Sequence, residues 1–168
     1  MRYIMLGAIS LSVAALGLLP LNQETAAQTR QGPEGTWTLV SIKTVLGDRE
    51  VLPYGPDAKG ALIMDGKRFS IIIVRPNRPK FKSGIRTTGT PEENSETVHG
   101  SIALFGTYTV DPNDKMRMTL NIEESTFPNW SGTTQPRTIK FAGDTMELAN
   151  PAASGGAGVS YVVWKRAE

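Results

Sequence analysis

The sequence predicts an all-β fold, an eight-stranded antiparallel up-and-down barrel with a short helix in one long mouth loop. Three observations carry that expectation. Beyond the N-terminal apolar run, no segment keeps a helical period over three turns. Short runs rich in Val, Ile, Thr and aromatic residues recur instead, bounded by Gly, Pro, Asn and Asp. The connections between them alternate strictly in kind, long then tight.

The first residues stand apart from this pattern. Met1-Arg2-Tyr3 makes a positive start, Ile4 to Leu19 is apolar with only Gly and Ser interrupting, and small residues sit at Thr25 and Ala27. This is the layout of a signal peptide cleaved after Ala27, with an uncleaved anchor as the rival reading. No Cys follows the run, so a lipoprotein anchor is excluded. The expected organisation is a signal peptide over 1–27, a short flexible segment over 28–34, and one barrel domain over 35–168. The product would be periplasmic or secreted, with no stable membrane insertion once the leader is removed. Without cysteine it has neither disulfides nor a thiol nucleophile. A net charge of +2 gives no reason to expect a nucleic-acid partner. The locally basic stretch from Lys67 and Arg68 through Arg75, Arg78, Lys80, Lys82 and Arg86 reads as a solvated strand end and loop.

Strands are expected at about 36–43, 60–65, 67–74, 99–110, 115–123, 136–142, 144–149 and 159–166. Asp65-Gly66, Asp111-Pro112-Asn113-Asp114 and Gly143-Asp144 suit tight hairpins. The connections 44–59, 75–98, 124–135 and 150–158 are long. If the strands run up and down, every tight turn falls at one end and every long loop at the other. The result is a cup with a closed base and an open mouth. Within 75–98, Thr90-Pro91-Glu92-Glu93 combines an N-cap, a first-turn proline and a capping-box Glu, so part of that loop should be helical, with Phe81 anchoring it. Trp37 should plug the base, with a basic side chain from Trp164-Lys165-Arg166 stacked across it.

Alternation puts Phe69, Ile71, Ile73 and Arg75 on one face, and likewise Arg137, Ile139 and Phe141. Ile102, Leu104 and Tyr108 share another, with Gly106 as a possible bend. Both arginines then lie inside at the mouth. The segment Thr126–Arg137 is a rim connection whose Phe127 and Trp130 fold over the opening. They either line a ligand pocket, with Asn129 and Gln135 offering hydrogen bonds, or plug the barrel. Arg75 reads as one half of an internal salt bridge, with Glu123 the nearest acid, and Arg137 as a contact to a ligand carboxylate or other acceptor.

The residues Gly35-Thr36-Trp37 with Leu39-Val40-Ser41, then Arg75-Pro76 with Arg78-Pro79 and Phe81, then Gly89-Thr90-Pro91-Glu92-Glu93 have a familiar arrangement. So do Gly106, Tyr108 and Val110-Asp111, and above all Phe127-Pro128-Asn129-Trp130 with Gly132-Thr133, Gln135 and Arg137. In that order they resemble the lipocalin-like domain family of bacteria and fungi, from about Gly35 to Arg166. The resemblance implies a lipocalin-type barrel and small apolar ligands, and it carries no catalytic or ligand-binding residue with it. Family members often have a His pair where this chain has Leu120-Asn121, so any chemistry resting on those imidazoles is absent.

The sole histidine, His99, is placed at a strand start in a structural or surface role. One His and no Cys give no zinc set, and no metal or other cofactor is expected. No nucleophile elbow, His-Glu-x-x-His pair or phosphate-cradling glycine loop occurs; Ser154 to Gly158 reads as a flexible loop. The expected ligand-binding set is Arg75, Phe81, Tyr108, Phe127, Asn129, Trp130, Gln135 and Arg137. The expected function is binding of a small, mostly apolar molecule in the mouth of an exported barrel. A metal-independent isomerase or cyclase using Glu123, and a structural envelope protein with a filled core, are the alternatives.

Overall fold

A computed structural model describes residues 32–168; the expected leader over 1–27 lies outside the described residues. Nine strands form one antiparallel sheet: β1 (Gly35–Leu46), β2 (Arg49–Val51), β3 (Lys59–Asp65), β4 (Arg68–Val74), β5 (Ser101–Val110), β6 (Arg117–Ser125), β7 (Thr134–Ala142), β8 (Thr145–Asn150) and β9 (Val159–Arg166). From β3 to β9 each strand pairs with the next, and β9 returns to β1 along its length, from Val45↔Val159 to Trp37↔Arg166. Eight strands thus close into an up-and-down barrel, whose closure satisfies the backbone groups that an open sheet would leave bare.

β2 is an addition that the sequence pattern did not signal. The chain continues β1 to Leu46, turns at Gly47 (φ 63°) and Asp48, and pairs back with Leu46↔Arg49. All three β2 residues are exposed, so they carry no alternation to read; only the Gly-Asp turn marks them. β7 likewise starts two residues earlier than expected. Pro136 fits inside it because β8 pairs with β7 only from Thr138 onward, so no ladder bond is lost on that side.

The three tight turns that join barrel strands, β3 to β4, β5 to β6 and β7 to β8, lie at the base, and the four long connections lie at the mouth, the first of them holding the short β1–β2 turn. Asp111 shapes one base turn by accepting from the N–H groups of Asn113 (2.8 Å) and Asp114 (3.3 Å). At the mouth, the long loop carries α1 (Pro91–His99), whose start is a complete capping box. Thr90 Oγ1 accepts from the Glu93 N–H (3.2 Å) and Glu93 Oε2 from the Thr90 N–H (2.9 Å). The other Glu93 oxygen accepts from the Lys82 N–H (2.9 Å), so one carboxylate ties the helix to the loop before it. Phe81 packs beneath Gly89, where a Cβ would lie 2.7 Å from its ring. His99 ends this helix and does not open a strand. Gly100 is buried and donates its N–H back to Glu96 (3.0 Å), so β5 opens at Ser101, two residues later than the alternation suggested.

Those backbone donors hold the Glu93 carboxyl below the usual carboxylate range, and Arg68 does the same for Glu123. A carboxylate with a lowered folded pKa stabilises the fold above its unfolded value, near 4.3, and loses that contribution as pH falls through the folded one. Stability is therefore expected to be level from neutral pH to about 4.5 and to fall below it. Glu93→Gln should flatten that acid limb in pH-dependent thermal unfolding. An unchanged limb would mean that other carboxylates set it.

The interior has two tiers. Trp37, Leu62, Met64, Met118, Leu120, Ile139 and Met146, each at most 2 % exposed, pack the lower one. Beneath them, the Trp37 indole N–H donates to the Pro33 carbonyl (2.8 Å), and the Arg166 guanidinium lies 4.1 Å over the ring. Arg166 also donates to the carbonyls of Glu34 (2.6 Å) and Gly32 (3.0 Å). Of the segment 28–34 expected to be flexible, residues 32–34 are described, and these bonds strap them across the base. Phe141, expected inside, is half-exposed at the lower rim with its ring 6.4 Å from Trp37. Its row lies where the barrel has already been filled by the indole.

Candidate functional site: the upper barrel cavity

Above the packed tier lies a cavity of about 140 Å³. Its walls are Ile42 on β1, Ile71 and Ile73 on β4, Ile102 and Leu104 on β5, Leu148 on β8 and Val162 on β9. Leu46, Val51, Pro53 and Tyr54 bound it on one side of the mouth, Trp130 on another, and Ser154, Gly155 and Ala157 on a third. Alternation explains the apolar walls, since each of these strands presents every second residue inward.

Four polar residues on the strands interrupt that lining, and all stand in phase with the apolar ones. Asn150 pairs with Ser160 across β8 and β9, and Ser160 with Thr44 across β9 and β1. The Thr44 and Ser160 hydroxyls share a hydrogen bond of 2.7 Å, and Asn150 Oδ1 accepts from the Ala152 N–H (3.0 Å). The fourth is Arg137, which is only 7 % exposed. It donates to the Pro136 carbonyl (2.8 Å) and to Gln135 Oε1 (2.7 Å), both neutral acceptors. No carboxylate among the described residues pairs with it. Burial pulls its pKa down to about 10, which still leaves it charged at neutral pH.

The Thr126–Arg137 segment builds this corner. Pro128–Trp130 forms a single 3-10 turn that sets the Trp130 indole against the cavity, and Phe127 braces it edge-on with ring centroids 5.8 Å apart. A chain of hydrogen bonds then runs from Trp130 to the guanidinium. Thr133 Oγ1 donates to the Trp130 carbonyl (2.7 Å), Gln135 Nε2 to Thr133 Oγ1 (3.0 Å), and Arg137 to Gln135. The aromatic turn thereby fixes the height and direction of the buried charge.

The eight residues singled out in the sequence do not all meet here. Trp130 and Arg137 line the cavity; Gln135 touches it only through Arg137, and Phe127 only through Trp130. Asn129 is exposed on the outside of the turn. Arg75 is corrected from an inward to an outward position. β4 ends at Val74, Pro76 and the left-handed Asn77 (φ 60°) turn the chain away, and Glu96 of α1 takes the guanidinium in an ion pair. Phe81 stays in the same outer loop. Tyr108 faces inward as expected but lies near the base, because β5 runs from mouth to base and Tyr108 is close to its lower end. Its hydroxyl donates to Glu34 Oε1 (2.7 Å), and burial, then that carboxylate, push the phenol up. Glu123 faces outward, held by both guanidinium nitrogens of Arg68 (2.9 and 2.8 Å).

Thr44, Tyr54, Asn150, Ser160 and Trp164 complete the lining and escaped the sequence reading. Three of them left a signal: a polar residue at an inward phase, after Ile42 on β1, after Leu148 on β8 and before Val162 on β9. Burial raises the Tyr54 phenol, against a smaller opposing pull from the Ser154 hydroxyl. Trp164 is 1 % exposed, and its indole N–H has no hydrogen-bond partner, the only such buried side-chain atom among the described residues.

The 4'-hydroxy-3'-methoxypropiophenone carrier protein ppsC of Aspergillus oryzae is 30% identical over 102 residues, which cover 56% of this chain and 92% of that protein. A mutant of the fluorescent protein UnaG, known from a crystal structure, is 14% identical with a TM-score of 0.37, covering 81% of this chain and 96% of that one, a likeness too distant to carry weight. The family model described as a lipocalin-like domain matches residues 34–167, all but the first two of the described residues and the last. With an eight-stranded closed barrel, a packed base and an open upper cavity, the chain belongs to the lipocalin-like domain family.

Proposed function

We propose that this protein binds and carries a small, mostly apolar molecule in the upper barrel cavity, outside the cytoplasm. The cavity itself carries the reading. A packed fold rarely leaves such a volume unfilled, and here the space is walled by branched aliphatic side chains with a few polar groups, the usual make-up of a small-molecule site. Because the lower tier is packed and the upper is not, the filled-core alternative has less support than binding. The lining contains no carboxylate, imidazole, thiol or lysine, which supports carriage over turnover. Glu123, the acid of the isomerase or cyclase alternative, is outside the barrel and paired with Arg68. The relative's name as a carrier of a hydroxy-methoxy-propiophenone makes single-ring aromatics the first ligands to try. Export rests on the leader pattern of residues 1–27.

A ligand at a hundred times its Kd should add about 2.7 kcal/mol to the folded state, so the melting temperature should climb with ligand concentration. A thermal-shift series with phenolic ketones, aromatic acids, isoprenoids and fatty acids measures this. Melting temperatures flat to millimolar concentration across all four classes would sink the reading. Recovery of the ligand chemically unchanged separates a carrier from an enzyme.

A further inference from the structure

The interior holds two polar groups that the protein itself leaves unanswered. Arg137 is a buried cation with only neutral partners. Trp164 is a buried indole donor with no partner. A buried charge without a counter-charge and a buried donor without an acceptor are both unfavourable, and native proteins keep few of either. Both residues line the same cavity.

Their heights differ. Thr138 pairs with Ala149, which sets Arg137 level with Asn150 at the upper end of β8, whereas Trp164 pairs with Met146 four residues lower. At ~3.3 Å per residue that offset is on the order of 13 Å along the strand direction, before the two side chains reach into the barrel. The space between is apolar, walled by Leu148, Val162 and Ile42. Its volume, about 140 Å³, compares with the roughly 150 Å³ engineered apolar cavity in another protein that takes up benzene. One aromatic ring fits; a long acyl chain does not.

Building on the carrier reading, we propose that the ligand is a single-ring aromatic acid with an acceptor at each end. Its carboxylate meets Arg137 at the mouth, and an ether, hydroxyl or carbonyl oxygen on the far side of the ring accepts from the Trp164 indole N–H at depth. The carboxylate supplies the counter-charge that Arg137 lacks, and the lowered pKa of that guanidinium is the sign of its present deficit. Trp164 sets the polarity of the deep end and Arg137 that of the shallow one, so the ligand enters tail first.

Four probes test this by calorimetry at neutral pH: 4-methoxybenzoate, its near-isostere 4-ethylbenzoate, 4-methylanisole and hexadecanoate. On the unaltered protein, 4-methoxybenzoate should bind about five- to tenfold tighter than 4-ethylbenzoate, the worth of one hydrogen bond. Trp164→Phe should erase that difference. Arg137→Met should weaken 4-methoxybenzoate on the order of a hundredfold more than it weakens 4-methylanisole. Equal affinity of the methoxy and ethyl acids on the unaltered protein overturns the role of Trp164 whether or not its variant folds. Equal losses for the acid and the ether in Arg137→Met overturn the role of Arg137. Tightest binding of hexadecanoate overturns the single-ring assignment and leaves carriage standing, whereas no binding by any of the four overturns both.

Discussion

Gly106→Ala is expected to destabilise the barrel by about 3 kcal/mol, at the upper end of what overpacking costs. β5 and β6 shift register between Phe105 and Gly106, so the two strands press together at a bulge. A Cβ at this position would lie 2.0 Å from the Asn121 carbonyl oxygen and 2.9 Å from the Glu123 nitrogen. Both are backbone atoms of β6, so no side chain can rotate away, and relief requires the strands to part. Parting them disturbs Leu120 and Ile122, which face the core from β6. The melting temperature should fall by roughly 10 °C, given 2–4 °C or more per kcal/mol for a domain of this size. A variant melting with the unaltered protein would show that the bulge accommodates a methyl group and that Gly106 is dispensable.

Trp37→Ala should cost more, about 4 kcal/mol, in the range for emptying a buried aromatic site. Trp37 is 1 % exposed, and its neighbours on β3 and β9 are fixed in the ladder, so the space it leaves cannot collapse. The loss also strips Arg166 of the ring face beneath its guanidinium and Pro33 of its hydrogen-bond donor. Trp37→Phe keeps a ring for the guanidinium and should cost distinctly less. Guanidinium chloride unfolding separates the two through the midpoint. If alanine and phenylalanine were equally costly, the indole N–H, and not the bulk of the ring, would be what closes the base.

The barrel was legible in the sequence because its determinants are local. Inward residues recur with period two, and Asp65-Gly66 and Gly143-Asp144 mark hairpins without help from distant residues. The helix at Pro91–His99 announced itself the same way, through a capping box contained within four residues. The site was legible only in part. Alternation says which way Tyr108 points but not how high in the barrel it stands, because height depends on how each strand is staggered against its neighbours. Arg75 had the right phase, and was drawn outward by Glu96, a partner supplied by a helix some twenty residues on. Arg137 and Trp130 could be found because one short segment delivers both. Thr44, Asn150 and Ser160 come from three strands, and only the closure of β9 on β1 brings them level.

That closure has a consequence for the order in which the chain can become a protein. β1 is the first barrel strand to be synthesised and β9 the last, and their pairing joins Trp37 to Arg166 across the whole domain. The hairpins β3–β4, β5–β6 and β7–β8 can form as soon as each is made, but the ring they belong to stays open until the final strand emerges. Contacts of such long sequence separation are slow to form and come late. Without β9 the sheet would have two unpaired edges and no enclosed interior. The upper cavity is therefore not enclosed piece by piece; its wall is complete only when β9 pairs with β1.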